Sequence, residues 1–222
     1  MLHYRGGRQA VDARVYPDMD GYYEDLGEAY AAAVRAFYDA GCRYLQLDTS
    51  LAYFCDPEQR KMLEERGDDP ASVIGRYRDM INTATRDRPK DMMITTHACR
   101  GNFRSTFIAA GGYEPVADIV LNQIDVDGYF MEWDDHRSGG FEPLRLLPKG
   151  KHVVLGLVTT KGGQLEQKDD IKRRIEQAAK YAPLDQLCLS PQCGFASTEE
   201  GNVLSEEEQW AKLRFIVEVA EG

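Results

Sequence analysis

Five short apolar runs punctuate the chain, at 43–48, 92–97, 128–133, 152–158 and 186–189, and each gives way to polar residues. Runs of that length suit strands buried on both faces of a parallel sheet. The intervening segments 20–40, 71–86, 113–123, 168–181 and 205–220 repeat their apolar positions at helical spacing. Asp20 stands at the start of the first, and Ser205 with Glu208 has the spacing of a capping box at the last. Strand and helix alternate throughout, which predicts a parallel α/β sheet with its chemistry at the C-terminal ends of the strands.

Only five such units can be counted, whereas a closed (β/α)8 barrel needs eight strands. Five parallel strands left open present two unpaired edges, which natural folds cover or close. The pattern therefore leaves two architectures, an open doubly wound sheet or part of a TIM-type barrel whose first strands lie elsewhere. No linker, repeat or change of composition divides the 222 residues, so one domain over 1–222 is expected.

Composition narrows the function classes. With 43% hydrophobic and 29% charged residues the chain has an ordinary globular balance, and its net charge of −10 leaves no basic stripe for a nucleic-acid backbone. No apolar segment reaches the length of a signal peptide or membrane span, so a cytoplasmic protein away from membranes is expected. Five cysteines at wide, irregular spacing argue against a disulfide framework and leave metal ligands or buried thiols.

The strand ends carry Asp48, His97 with Cys99, Glu132 with Asp134, 159–161, and Cys193 after the turn 190–192. His97 and Cys99 are two residues apart where a strand runs out, so both can face one side of the sheet. Nitrogen, two sulfurs and a carboxylate oxygen suit zinc better than magnesium or calcium, whose sites are built from oxygen. Ligands drawn from three separate strand ends point to a catalytic pocket rather than a finger-like structural site. The competing account packs Cys99 and Cys193 in the core as small hydrophobes and leaves His97 to a local hydrogen bond. Glu132 fits that account poorly, because it closes the apolar run 129–131, where an unpaired carboxylate is costly to bury.

HACRGN at 97–102, MEWDD at 131–135 and SPQCGF at 190–195 resemble, in order and spacing, the catalytic barrel of cobalamin-independent methionine synthase, and its shorter single-barrel relatives most of all. With YLQLD at 44–48 and GLVTTK at 156–161 the resemblance covers essentially the whole chain. It implies a TIM-type barrel of which this chain carries about five βα units, the C-terminal part. It implies that His97, Cys99, Glu132 and Cys193 hold a zinc ion and that Asp48 contacts an amino-acid substrate. The implied reaction moves a methyl group from 5-methyltetrahydrofolate, or its polyglutamate, to the thiol of homocysteine.

Two departures qualify the resemblance. The family's histidine near the end of the penultimate strand, associated with protonating the folate leaving group, is replaced by Thr159, Thr160 and Lys161. Lys161 is then the candidate acid or anion anchor, set against a lysine that merely solvates a strand end. The second departure is extent. MLHYRGG at 1–7 reads as the interior of a longer relative, so a partial chain, able to self-associate or to pair with a complementary chain, is expected. Arg100 and Arg104 are candidates for a substrate carboxylate, although surface or supporting ion pairs are the commoner use of such residues. Trp133 and Tyr129 are expected in the core, and His136 in a solvated loop. Other readings are alkyl transfer to another thiol, as in epoxyalkane:coenzyme M transferases, and a non-enzymatic zinc-binding fragment.

Overall fold

In the computed structural model, which describes residues 6–222, five strands pair in chain order. They are β1 (Tyr44–Thr49), β2 (Met93–Ala98), β3 (Gly128–Glu132), β4 (His152–Val158) and β5 (Leu187–Pro191), and every neighbouring pair is parallel. A doubly wound sheet reverses its strand order at a switch point. Here the order runs straight from β1 to β5, the winding of a barrel wall. Among the described residues, β1 and β5 each have a strand on one side only. Residues 1–5 of the MLHYRGG segment lie outside the described residues.

Among the described residues five α-helices flank the sheet: α1 (Met19–Asp39), α2 (Pro57–Glu65), α3 (Pro70–Thr85), α4 (Lys168–Ala178) and α5 (Glu206–Glu221). The capping box at Ser205 and Glu208 forms as expected. The first helix is capped not by Asp20 but by Asp18, whose carboxylate accepts from the Gly21 amide at 3.0 Å. Asp20 falls inside the first turn and pairs with Arg76. Apolar periodicity does not predict helix α2. Its start is written in Asp56-Pro57, an N-cap followed by proline at the first helical position, as Asp69-Pro70 is for α3.

The segment 113–123 is not the α-helix its spacing suggests. A 3-10 turn at Glu114–Val116 leads into a π-helical turn at Ile119–Gln123. The Tyr129 hydroxyl bonds to the carbonyl oxygens of Leu121 and Ile124, both at 3.0 Å, and the Asn82 amide donates to the Gln123 carbonyl at 2.8 Å. Side chains thus satisfy carbonyls at the end of that wide turn.

Behind the sheet Ile94, Tyr129, Met131, Val153, Leu155 and Leu157 are fully buried in one continuous core with the helices. Tyr113, Trp133 and Phe141 stack in sequence, with centroids 4.9 and 5.3 Å apart. Two glycines make the close approaches that the strand-end loops need. Gly111 sits at φ +105, where a Cβ would lie 2.4 Å from the Cys55 carbonyl oxygen. At Gly156, a Cβ would lie 2.9 Å from the Gln192 Cα.

Candidate metal centre

Register brings the site together. Asp48 pairs with His97 and His97 with Phe130, so Glu132, two residues beyond Phe130, shares their face of the sheet. Cys99 follows His97 by two residues, with its amide held to the Thr49 carbonyl at 3.0 Å. Cys193 arrives from beyond the end of β5, after Gln192 donates its amide to the Val158 carbonyl at 2.8 Å. The ligand atoms of His97, Cys99, Glu132 and Cys193 all lie within 4.8 Å of one another. His97 Nε2 is 3.5 Å from Cys193 Sγ and 3.5 Å from Glu132 Oε1.

Glu132 has no solvent exposure, and protein groups hold both oxygens. Oε1 accepts from the Arg100 amide at 2.9 Å, and Oε2 accepts from Gln192 Nε2 at 2.8 Å with Arg137 Nη2 at 3.6 Å. The Tyr113 hydroxyl clamps the Glu132 backbone, accepting from its amide at 2.9 Å and donating to its carbonyl at 3.2 Å. Arg137 is held in turn by Asp134 at 2.7 Å, and Asp134 accepts from the Thr159 hydroxyl at 2.8 Å.

Burial raises the Glu132 carboxyl above its ordinary range, against the pull of His97. Burial alone would lower His97, but its contact with Cys193 and the nearby acids outweigh that and raise it. Between the thiols the shifts oppose: Cys193 is driven down because Cys99 and His97 donate to it, and Cys99 is driven up as that donor. Two thiols, a carboxylate and an imidazole held this close, with only one thiolate favoured by protein groups alone, form a donor set matched to a soft divalent cation.

The structure spreads the other candidates around this cluster. Asp48 lies at the open edge beside Cys99, with its carboxyl in electrostatic reach of His97 and Cys193. Lys161 donates to the Thr106 carbonyl at 2.9 Å and to Asn102 Oδ1 at 3.4 Å. Burial lowers its ammonium, countered by Glu132. Arg100 is fully buried, its guanidinium 4.3 Å over the Tyr113 ring and its Nε donating to the Tyr113 hydroxyl at 3.2 Å. Arg104 and His136 are exposed, and Trp133 and Tyr129 are buried. All five cysteines are free. Sequence reasoning missed Tyr113, Gln192 and Arg137, of which only Gln192 stands inside a recognisable motif, directly before Cys193.

Residues 16–222 match the family model for the cobalamin-independent synthase catalytic domain. The chain is 52% identical over 214 residues to the uncharacterized protein YxjH of Bacillus subtilis (strain 168), a match covering 96% of this chain and 57% of YxjH. It is 51% identical to YxjG of the same organism, over 99% of this chain and 58% of YxjG. A solved structure from Listeria monocytogenes, described as a candidate vitamin-B12-independent methionine synthase, shares 40% identity at a TM-score of 0.72. That alignment covers 92% of this chain and 56% of the Listeria chain. A B12-independent methionine synthase from Shewanella sp. W3-18-1 shares the fold at a TM-score of 0.67 with 17% identity, over 93% of this chain and 55% of its own. This chain thus spans somewhat over half the length of these relatives. Among the described residues no helix is long and apolar enough to cross a membrane. Motif order, strand winding and the family match together place the chain in the cobalamin-independent methionine synthase catalytic-domain family.

Proposed function

We propose that His97, Cys99, Glu132 and Cys193 hold one zinc ion and that this site activates a thiol for alkylation, with homocysteine as acceptor and 5-methyltetrahydrofolate as methyl donor. The observation that carries the reading is the convergence of one imidazole nitrogen, two sulfurs and one carboxylate oxygen, from three strand ends, within 4.8 Å. When bound, zinc supplies Lewis acidity that keeps a coordinated substrate thiol deprotonated at neutral pH.

The remaining work falls to the chain's own residues. Asp48, at the open side of the site, is suited to hold the ammonium group of an amino-acid acceptor. The Glu132 clamp of Arg100, Tyr113 and Gln192 fixes the carboxylate ligand. Arg100 reaches no open surface, and in this reading it serves the substrate through Glu132 rather than by touching a substrate carboxylate. Lys161 holds a proton at Nζ, with burial favouring its release, and is assigned to the donor side as acid or anion contact. The transfer is a displacement in which the acceptor sulfur bonds to the methyl carbon and the carbon–nitrogen bond to the donor breaks. The leaving nitrogen takes up a proton, and methionine results. Lysine where the family has histidine keeps a second reading in view, alkyl transfer to a different thiol.

The test is methionine formation from homocysteine and 5-methyltetrahydrofolate by zinc-loaded protein in a context containing the full barrel. Asp48→Asn is expected to raise KM for homocysteine, and Lys161→Met to lower kcat with the folate donor. Methylation that proceeds unchanged in both variants would remove these assignments. Product formed only with other thiols would favour the second reading.

A further inference from the structure

Of the four ligands, Cys193 alone stands outside a strand or its immediate continuation, because β5 ends at Pro191. Its loop must be held by other means. Asn102 lies three residues past Cys99, after the chain turns at Gly101 with φ +88. Its Nδ2 donates to the Gly194 carbonyl at 2.6 Å and to Ser197 Oγ at 2.8 Å, and its Oδ1 accepts from Lys161 Nζ at 3.4 Å. A primary amide has two N–H donors and one carbonyl acceptor, and all three are engaged here. The loop that carries Asn102 is anchored again where Ser105 donates to Asn202 at 2.7 Å, and Asn202 donates to the Thr160 carbonyl at 2.9 Å.

Building on the metal-site reading above, we propose that Asn102 is a positioning residue. Its amide locks the loop of Cys193 to the segment of Cys99, and its carbonyl sets the Lys161 ammonium beside the same centre. Gly194 is the residue next to the ligand, so pinning its carbonyl removes backbone freedom that Cys193 would otherwise lose on taking up the metal. Supporting hydrogen bonds of this kind typically change metal affinity about 10- to 100-fold when removed. The donor and acceptor sides of the amide can be tested separately. Asn102→Asp keeps the shape and the acceptor toward Lys161, but it has no N–H to offer Gly194 or Ser197.

The experiment loads the full chain with cobalt(II) as a spectroscopic stand-in and measures affinity by chelator competition, together with the sulfur-to-metal charge-transfer absorption. Asn102→Ala and Asn102→Asp are both expected to bind about 10- to 100-fold more weakly than the unaltered chain. Their charge-transfer bands are expected to weaken toward that of Cys193→Ser, while the thermal midpoint read by circular dichroism stays close to the parent's. Ser197→Ala, which removes a single partner, is expected to change affinity less. Parent-like affinity and absorption in Asn102→Asp overturn the proposal. An unaltered chain that takes up no cobalt removes the metal-site reading itself, and this inference with it.

Discussion

Arg137 is the residue on which the charge balance beneath Glu132 turns. Its side chain is 5% exposed and lies among Glu132, Asp134 and Asp135, the first two with side chains at 0% and 1% exposure. Removing one member of a buried ion pair leaves the partner's charge desolvated and uncompensated, which costs about 3–5 kcal/mol. Arg137→Met is therefore expected to lower stability to urea by about that amount. The exposed pair of Arg173 and Asp170 is the control: Arg173→Met is expected to cost about 0–1 kcal/mol, as such surface pairs do. Equal, small losses at both positions would show that Arg137 does not carry the balance described.

Between elements, Asp56 and Gly111 do what the helix pattern does not show. Asp56 caps α2 through the Glu58 amide at 2.8 Å and also accepts from the Ala110 amide at 2.7 Å, so one carboxylate ties a helix start to the loop leading to Tyr113. Asp56→Ala is expected to cost about 1–2 kcal/mol for the cap and about 1 kcal/mol more for the unpaired amide, measured by chemical denaturation. Gly111→Ala should be worse, since its backbone lies at φ +105 and its Cβ would collide with the Cys55 carbonyl. A parent-like midpoint for Gly111→Ala would contradict that geometry.

The five strands and four of the five α-helices described around them can be read from apolar periodicity, which reports burial directly. Helix α2 escaped because its mean pattern is polar and only Leu63 is buried, leaving Asp-Pro as the signal. The departure of segment 113–123 from an α-helix is not legible, because helical spacing does not reveal that the Tyr129 hydroxyl, on another element, bonds to the carbonyl of Leu121 within it and of Ile124 just beyond it. The four candidate ligands His97, Cys99, Glu132 and Cys193 are legible because the motifs that carry them are, taken together, specific in order and spacing. Gln192, Tyr113 and Arg137 were not, since their role exists only once distant loops meet.

On the scale of the molecule, β5 and β1 each have a strand on one side only among the described residues, which departs from a closed barrel wall, and the outer edge of β1 is apolar. A groove of about 900 Å³ runs along it, lined by Tyr30, Phe37, Leu45 and Leu47 and reaching Asp48 and Cys99 at one end. Tyr30 and Phe37 are 48% and 53% exposed, and an unpaired apolar sheet edge invites pairing. The isolated chain is expected to associate as its concentration rises in sedimentation experiments, and Tyr30→Glu with Phe37→Glu to reduce that association. A monodisperse monomer throughout would contradict it.

Whether His97, Cys99, Glu132 and Cys193 hold a metal is decided by metal analysis of the purified chain. One zinc per chain is predicted, lost in both Cys99→Ser and Cys193→Ser. Stoichiometric zinc that survives both substitutions would contradict it.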